Sequence, residues 1–337
     1  MWLTSSSIGR KFVMAITGIC LVLFVTFHVL MNAVALIWPT AYNLVCEFLG
    51  ANWYALIASA GLAALFIIHI IYACWLTIQN RRARGNDRYL VNTRPPQVEW
   101  SSKNMLVLGI VILAFLVVHL IQFWHKMQWQ ELMHHELSVL PQLNGAPVPP
   151  SFGTLFIQMA FSEVWTPIVY IIGFIALWFH MNHGFWSMLH SVGWDNGIWL
   201  NRLKTIGCWW TSIVVALFIA QAIVFTVRSH QHYYSTNIEL QEQYSEFWKE
   251  KSQAIIEDFQ ASAQKEFANA NPSDPMIEAK QAEFFLAKAP SYIAQATAVI
   301  NSVEKQCPDL KSETLGQLEQ FKQFLEQNLQ NAENQAK

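Results

Sequence analysis

Five long apolar runs dominate this chain, at about residues 12–37, 53–80, 104–127, 164–190 and 204–228. Each exceeds the roughly 20 residues a helix needs to cross a bilayer. In hydrocarbon every backbone polar group must be satisfied internally, so runs of this length can only be helices. The reading is an all-α integral membrane protein with five transmembrane helices. The first run is too long for the ~7–15-residue core of a signal peptide, although Ala33-Val34-Ala35 offers a superficial cleavage site. Cutting there would discard His28.

Charge divides the chain in two. Residues 1–228 hold 12 Lys/Arg and 7 Asp/Glu, a net +5, whereas residues 229–337 hold 9 and 16, a net −7. The expected domains are therefore a five-helix membrane domain over 1–228 and an acidic extension over 229–337. In the extension Phe247, Trp248, Ile255, Phe259 and Phe267 recur at near-helical spacing. Breaks are expected at Asn271–Pro275, Pro290 and Pro308, giving three or four amphipathic helices.

Basic residues set orientation. Arg10 and Lys11 precede the first span. Arg81, Arg82, Arg84, Arg88, Arg94 and Lys103 lie between the second and third, and Arg202 and Lys204 between the fourth and fifth. The opposite side carries Glu47, Glu131, Glu136 and Glu163, with Lys126 at the edge. The N-terminus is thus expected inside and the extension outside. Trp38, Trp53, Trp100, Trp129, Trp165, Trp194 and Trp199 stand near span ends, as interfacial anchors do. The five cysteines are scattered with no CxxC pair, which argues against a cluster or structural zinc within this chain. Cys46 and Cys307 both fall outside, where a disulfide could tie extension to core. No glycine-rich phosphate loop follows a strand signal, and no nucleic-acid partner is expected.

Ionisable side chains at membrane depth are expensive and face a protein interior. One histidine lies deep in each of the first four spans: His28, His69, His119 and His180. His28 is 17 residues past Lys11 and His119 is 16 past Lys103, both on helices that start inside. His69 is 16 past Trp53 and His180 is 17 past Glu163, both on helices that start outside. At 1.5 Å per residue each imidazole sits about 24–26 Å along its helix. His28 and His119 therefore share an outer level, and His69 and His180 an inner one. Two imidazoles at one level are what a six-coordinate haem iron requires, and a four-helix bundle can clamp such groups between facing side chains. A single intramembrane histidine is more simply a hydrogen-bonded packing residue; four at two matched levels are not. Carboxylates are nearly absent from mid-span positions, against a proton relay. His183, one turn beyond His180, competes as ligand; otherwise it touches a haem propionate or hydrogen-bonds across helices. Gly173 and Gly184 would let a flat macrocycle approach the His180 face. His190 sits at the inner interface, and His125, His134, His135, His230 and His232 read as surface residues.

Residues 4–228, about two thirds of the chain, resemble the single-polypeptide, five-helix dihaem cytochrome b anchor of succinate:quinone oxidoreductases (succinate dehydrogenase or fumarate reductase). The resemblance rests on "SSSIGRKFVMAITG", "FHVLMN" around His28, "VVHLIQFW" around His119 and "FHMNHGFWS" around His180. It implies two haem b groups, the distal one held by His28 and His119 and the proximal one by His69 and His180. It selects His180 because the family's fourth-helix ligand precedes a glycine by four residues, here Gly184. It further implies a quinone, commonly menaquinone, and partner flavoprotein and iron–sulphur subunits on the cytoplasmic face of a bacterial inner membrane. Homodimers of the complex are a further possibility. Arg10, Lys11 and the Arg81–Arg94 cluster become candidates for docking or propionate pairing, although positive-inside topology explains them equally. Arg202 and Lys204 are better placed for propionates. Glu47, the sole acid between the first two spans, is the candidate quinol proton acceptor, with a solvated loop carboxylate as the plain alternative. Where some relatives carry a membrane glutamate two residues before the fourth-helix ligand, this chain has Trp178. The acidic extension lies outside the family's usual core. The alternative functions are a dihaem cytochrome b anchor of another respiratory dehydrogenase and a haem-free transporter or scaffold with packing histidines.

Overall fold

A computed structural model describes residues 6–85, 99–133, 137–194, 196–268 and 276–335. Arg88, Arg94, His134, His135, Glu136 and the Asn271–Pro275 break lie outside these, as does the side chain of Arg84. The described chain is all-α apart from one minimal hairpin: twelve α-helices, five of them long and apolar enough to cross a membrane. It is a multi-pass membrane protein.

The five spanning helices are α1 (Ser7–Ile37), α3 (Trp53–Arg84), α4 (Trp100–His119), α7 (Trp165–Ser191) and α8 (Trp199–His230). Their ends follow local chemistry. The Ser6 hydroxyl caps α1 by accepting from Gly9 N–H at 2.9 Å. Pro39 cannot continue that helix but suits the first turn of the next, so a short α2 (Pro39–Ala51) begins there. Asn52 then caps α3 through Tyr54 N–H at 2.9 Å. Gly85, at φ +69, ends it in a conformation that side-chain-bearing residues avoid. After His119 the helix widens into a π-helical turn, Leu120–Trp124, closed by His125 N–H to Leu120 C=O at 2.8 Å.

The chain forms two compact units: residues 1–125 with 160–230, and residues 126–159 with 231–337. The break after His230 falls two residues from the sequence boundary, but the connection between α4 and α7 belongs with the extension. In the first unit α7 packs on α8, α4 and α1, while α1 also packs on α3. Glycines allow close approach: Gly207 on α8 lies against Phe185, and Gly173 on α7 against Phe115. Buried Gln221 donates to Val29 C=O at 2.8 Å, and Arg228 donates to the carbonyls of Ala35 and Leu36 at 3.1 and 3.0 Å. The latter satisfy groups left open at the end of α1. Leu23, Phe27, Ile57, Ile67, Ile110, Ile172 and Ile213 point outward. Such a surface is unsustainable in water and ordinary in lipid.

The second unit contains α5 (Gln128–Met133), a hairpin pairing Gln142–Leu143 with Ala146–Pro147, and most of α6 (Gly153–Phe161). It continues with α9 (Tyr233–Thr236), α10 (Ile238–Phe267), α11 (Ile277–Gln306) and α12 (Lys311–Gln335). Asn144 and Gly145, both at positive φ, make the hairpin's two-residue turn. Its core is aromatic: Phe152 packs on Tyr244, Phe247 and Trp248. Buried Trp248 donates to Gln306, whose own amide donates to Pro147 C=O. Pro308 does end a helix, but Pro290 does not, lying inside α11. It sits on the solvent face, and the carbonyl it frees belongs to exposed Leu286, so water replaces the missing bond. None of the five cysteines, Cys46 and Cys307 included, is in a disulfide among the described residues.

Candidate functional site

The first unit brings the deep histidines together in two couples. His28 on α1 and His119 on α4 have ring centroids 5.8 Å apart at an interplanar angle of 85°. His69 on α3 and His180 on α7 are 6.3 Å apart at 63°. These are the couples that the depth count groups. The distance has a chemical scale. Metal–imidazole bonds are about 2.0 Å, and the ligating nitrogen lies roughly 1.1 Å from its ring centroid, so two rings gripping one iron from opposite sides stand about 6 Å apart. Among the described residues no three His, Cys, Asp or Glu side chains gather as a metal-chelating cluster. Couples of two suit a metal whose other four ligands come from a macrocycle.

Aromatic rings surround the outer couple. Phe24 stacks on His28 at 5.4 Å, and Phe115, Phe123 and Tyr170 lie 5.3–6.0 Å from His119. The surroundings also distinguish the two nitrogens of each ring. His119 Nδ1 is 3.2 Å from Tyr170 Oη, and His69 Nδ1 is 3.0 Å from Thr17 Oγ1. His180 Nδ1 is buried without a hydrogen-bond partner. His28 Nε2 accepts from Asn32 Nδ2 at 3.1 Å, so that amide must turn aside before His28 can bind a metal through Nε2. Beside the inner couple two glycines stand where an added Cβ would only reach ordinary van der Waals contact with the imidazoles. A Cβ on Gly18 would be 4.0 Å from His69 Cε1, and one on Gly109 would be 3.9 Å from His180 Cε1. Gly173 is filled by Phe115, which a Cβ there would meet at 2.5 Å, while Gly184 faces open space. The donor set and spacing fit a bis-imidazole haem.

Where α4 and α8 begin and α7 ends, a second cluster forms. His183 Nδ1 is 3.0 Å from Glu99 Oε2, and Lys204 Nζ is 3.4 Å from Glu99 Oε1 and 4.3 Å over the Trp186 ring. Burial alone would raise the Glu99 carboxyl, but the bond to His183 and the Lys204 charge outweigh it and hold it below the ordinary carboxylate value. The hydrogen bond across helices is thus the role His183 fills here. His183 and Lys204 together form a carboxylate-binding pair, whereas Arg202 lies exposed over Trp199 at 5.3 Å. Trp178 donates to Ser212 on α8 at 3.0 Å. Glu47 is exposed on α2 rather than in a loop, and lines an open depression of about 570 Å³ with Leu44, Phe48, Asn52, Trp53 and Tyr54.

Sequence reasoning missed Thr17, Asn32, Glu99, Gln122 and Tyr170. Only Glu99 left a signal, as an acid beside a basic inner segment. Comparison with family models, curated proteins and solved structures finds no match to this chain.

Proposed function

We propose that the chain is the membrane-anchor, haem b and quinone-binding subunit of a succinate:quinone oxidoreductase, either succinate dehydrogenase or fumarate reductase. It is an electron-transfer subunit that does not itself handle the dicarboxylate. The observation that carries this reading is the meeting of four histidines from four spans as two couples, each at a bis-imidazole separation. Two haem b groups, when bound, supply one-electron carriers at two depths of the bilayer. The chain's own residues do the rest. His28 and His119 present imidazole nitrogens at the outer level, and His69 and His180 at the inner level. His183 and Lys204, which hold the Glu99 carboxylate, would take a propionate in its place, with Arg202 nearby in sequence. The long apolar helices exclude water from both couples. Arg10, Lys11, Arg81 and Arg82 offer a basic inner surface to an iron–sulphur subunit, itself joined to a flavoprotein. Glu47, beside its aromatic depression at the end of α2, is the proton acceptor for a quinol, with menaquinol the expected class. In this reading the N-terminus is cytoplasmic, the extension is periplasmic, and the membrane is a bacterial inner membrane.

The alternative is a dihaem cytochrome b serving another respiratory dehydrogenase, which the same couples would also suit. The test is a reduced-minus-oxidised spectrum of the purified chain with haem quantification. Two low-spin b haems per chain are expected, and Ala replacement at His28 or His119 should abolish one component while His69 or His180 abolishes the other. No haem, or two haems surviving all four replacements, refutes the electron-carrier reading. Co-purification with a flavoprotein and an iron–sulphur protein separates the succinate:quinone reading from the alternative. Replacing Glu47 with Gln should cut quinol oxidation and leave both spectra intact; unchanged turnover removes it from the site.

A further inference from the structure

Each couple contains one histidine whose Nδ1 meets a hydroxyl from the neighbouring helix, and in both cases the hydroxyl's proton is already committed. Thr17 has a single hydroxyl proton and two carbonyls of its own helix to receive it, Val13 at 3.0 Å and Met14 at 3.1 Å. The Tyr170 proton goes to Gln122 Oε1 at 2.9 Å. The other end of that amide is engaged in turn, Gln122 Nε2 donating to Thr166 Oγ1 at 3.0 Å. With their protons placed on those carbonyl oxygens, both hydroxyls accept from the imidazole. This arrangement makes His69 and His119 Nδ1–H tautomers with Nε2 unprotonated, the form a metal-ligating histidine takes.

Local structure shows what it takes to build this. Gln122 lies in the π-helical turn, where its neighbours Leu120 and Ile121 face outward while it is buried. Thr17, Thr166 and Tyr170 are buried as well. Polar groups inside an apolar bundle cost free energy unless fully paired, and here every one is paired toward an imidazole or toward the group that holds it. The other member of each couple lacks such a hydroxyl: His28 meets Asn32 through Nε2, and His180 Nδ1 has no partner.

We propose that Thr17 and Tyr170 are positioning residues, one for each couple, which orient His69 and His119 as ligands and raise their basicity. This rests on the haem reading above. A hydrogen bond accepted from Nδ1–H makes the imidazole a stronger donor and favours the oxidised metal, so its loss raises the midpoint potential of that centre alone.

The experiment uses the full chain with its haem complement, in near-isosteric variants Thr17→Val and Tyr170→Phe, read by potentiometric titration and low-temperature electron paramagnetic resonance. Thr17→Val should move one b component to higher potential and change its g-values; Tyr170→Phe should do the same to the other; Thr17→Ser should restore the first. Loss of one component with the other intact in either variant also supports the assignment. Unmoved potentials and g-values in both variants, or both variants shifting the same component, overturn it. A wild-type chain without haem instead refutes the function proposed above, and this inference falls with it.

Discussion

Replacing Gly173 with Ala adds one methyl group where the structure leaves no room for it. An added Cβ would lie 2.5 Å from Phe115 Cγ, 2.8 Å from Cδ2 and 2.9 Å from Cβ. Carbon atoms pack at about 3.5–4.0 Å, so Phe115 must recede by roughly 1 Å. Rotating its ring moves Cγ and Cδ2 but not Cβ, so α4 must shift away from α7. Overpacking of this kind costs about 1–3 kcal/mol. Against it stands the better helix propensity of Ala, worth about 1 kcal/mol. Because the clash reaches back to Phe115 Cβ, the upper half of the cost applies, and the net expectation is destabilisation by about 1–2 kcal/mol. Gly184 on the same helix supplies the control. Nothing lies within 4 Å of a Cβ there, so Gly184→Ala should be neutral or stabilise by up to about 1 kcal/mol. The assay is denaturant unfolding of the detergent-solubilised chain, with Phe115→Leu added to each background to close a double-mutant cycle. Coupling of about 1 kcal/mol or more between positions 115 and 173 is expected. Phe115 also stacks on His119 at 6.0 Å and meets Tyr170 at 5.0 Å, so Gly173→Ala should disturb the outer couple before the inner one. Equal stability of the two alanine variants, or no coupling to Phe115, would refute the packing argument.

Three further outcomes are expected. Arg228→Leu leaves the carbonyls of Ala35 and Leu36 without their donor and should destabilise the chain by about 1–3 kcal/mol in the same unfolding assay, with Arg228→Lys recovering part of the loss. Burial pushes the Cys307 thiol up to about 12, so a maleimide should leave it unlabelled at pH 8 in the folded chain and label it after unfolding; labelling of the folded chain would contradict the burial. Glu99 titrates below its ordinary 4.5 when folded, so the stability it confers is present above that pH and lost as pH falls through the depressed value. The Glu99 side chain is 38% exposed, which keeps the effect within about 1 kcal/mol, and Glu99→Gln should flatten the acid limb of the stability–pH curve.

The partition between what was legible and what was not follows interaction range. The spans were readable to within a turn or so because apolar runs are local, while Pro39, Asn52 and Gly85, which set the ends on their own turns, were local signals left unused. Pro290 was misread because a proline's cost depends on whether the freed carbonyl can reach water, which is a property of the helix face. The Asn144-Gly145 turn was a local signal left unused. The assignment of residues 126–159 to the second unit had no local signal, since it rests on contacts such as Thr154 with Tyr244, 90 residues apart.

The sequence alone determined that five helices span a membrane, because the hydrocarbon core allows no other backbone there and the apolar runs are unambiguous. It also grouped His28 with His119 and His69 with His180, the couples that meet in the structure, since a helix's fixed rise turns residue counts into heights. Only the tertiary structure decided which way each imidazole is held. Thr17, Gln122, Tyr170 and Glu99 act across helices, where direction depends on helix rotation and on a π-helical turn that shifts the register after His119. A residue count fixes height along a helix; the angle around it is settled by packing.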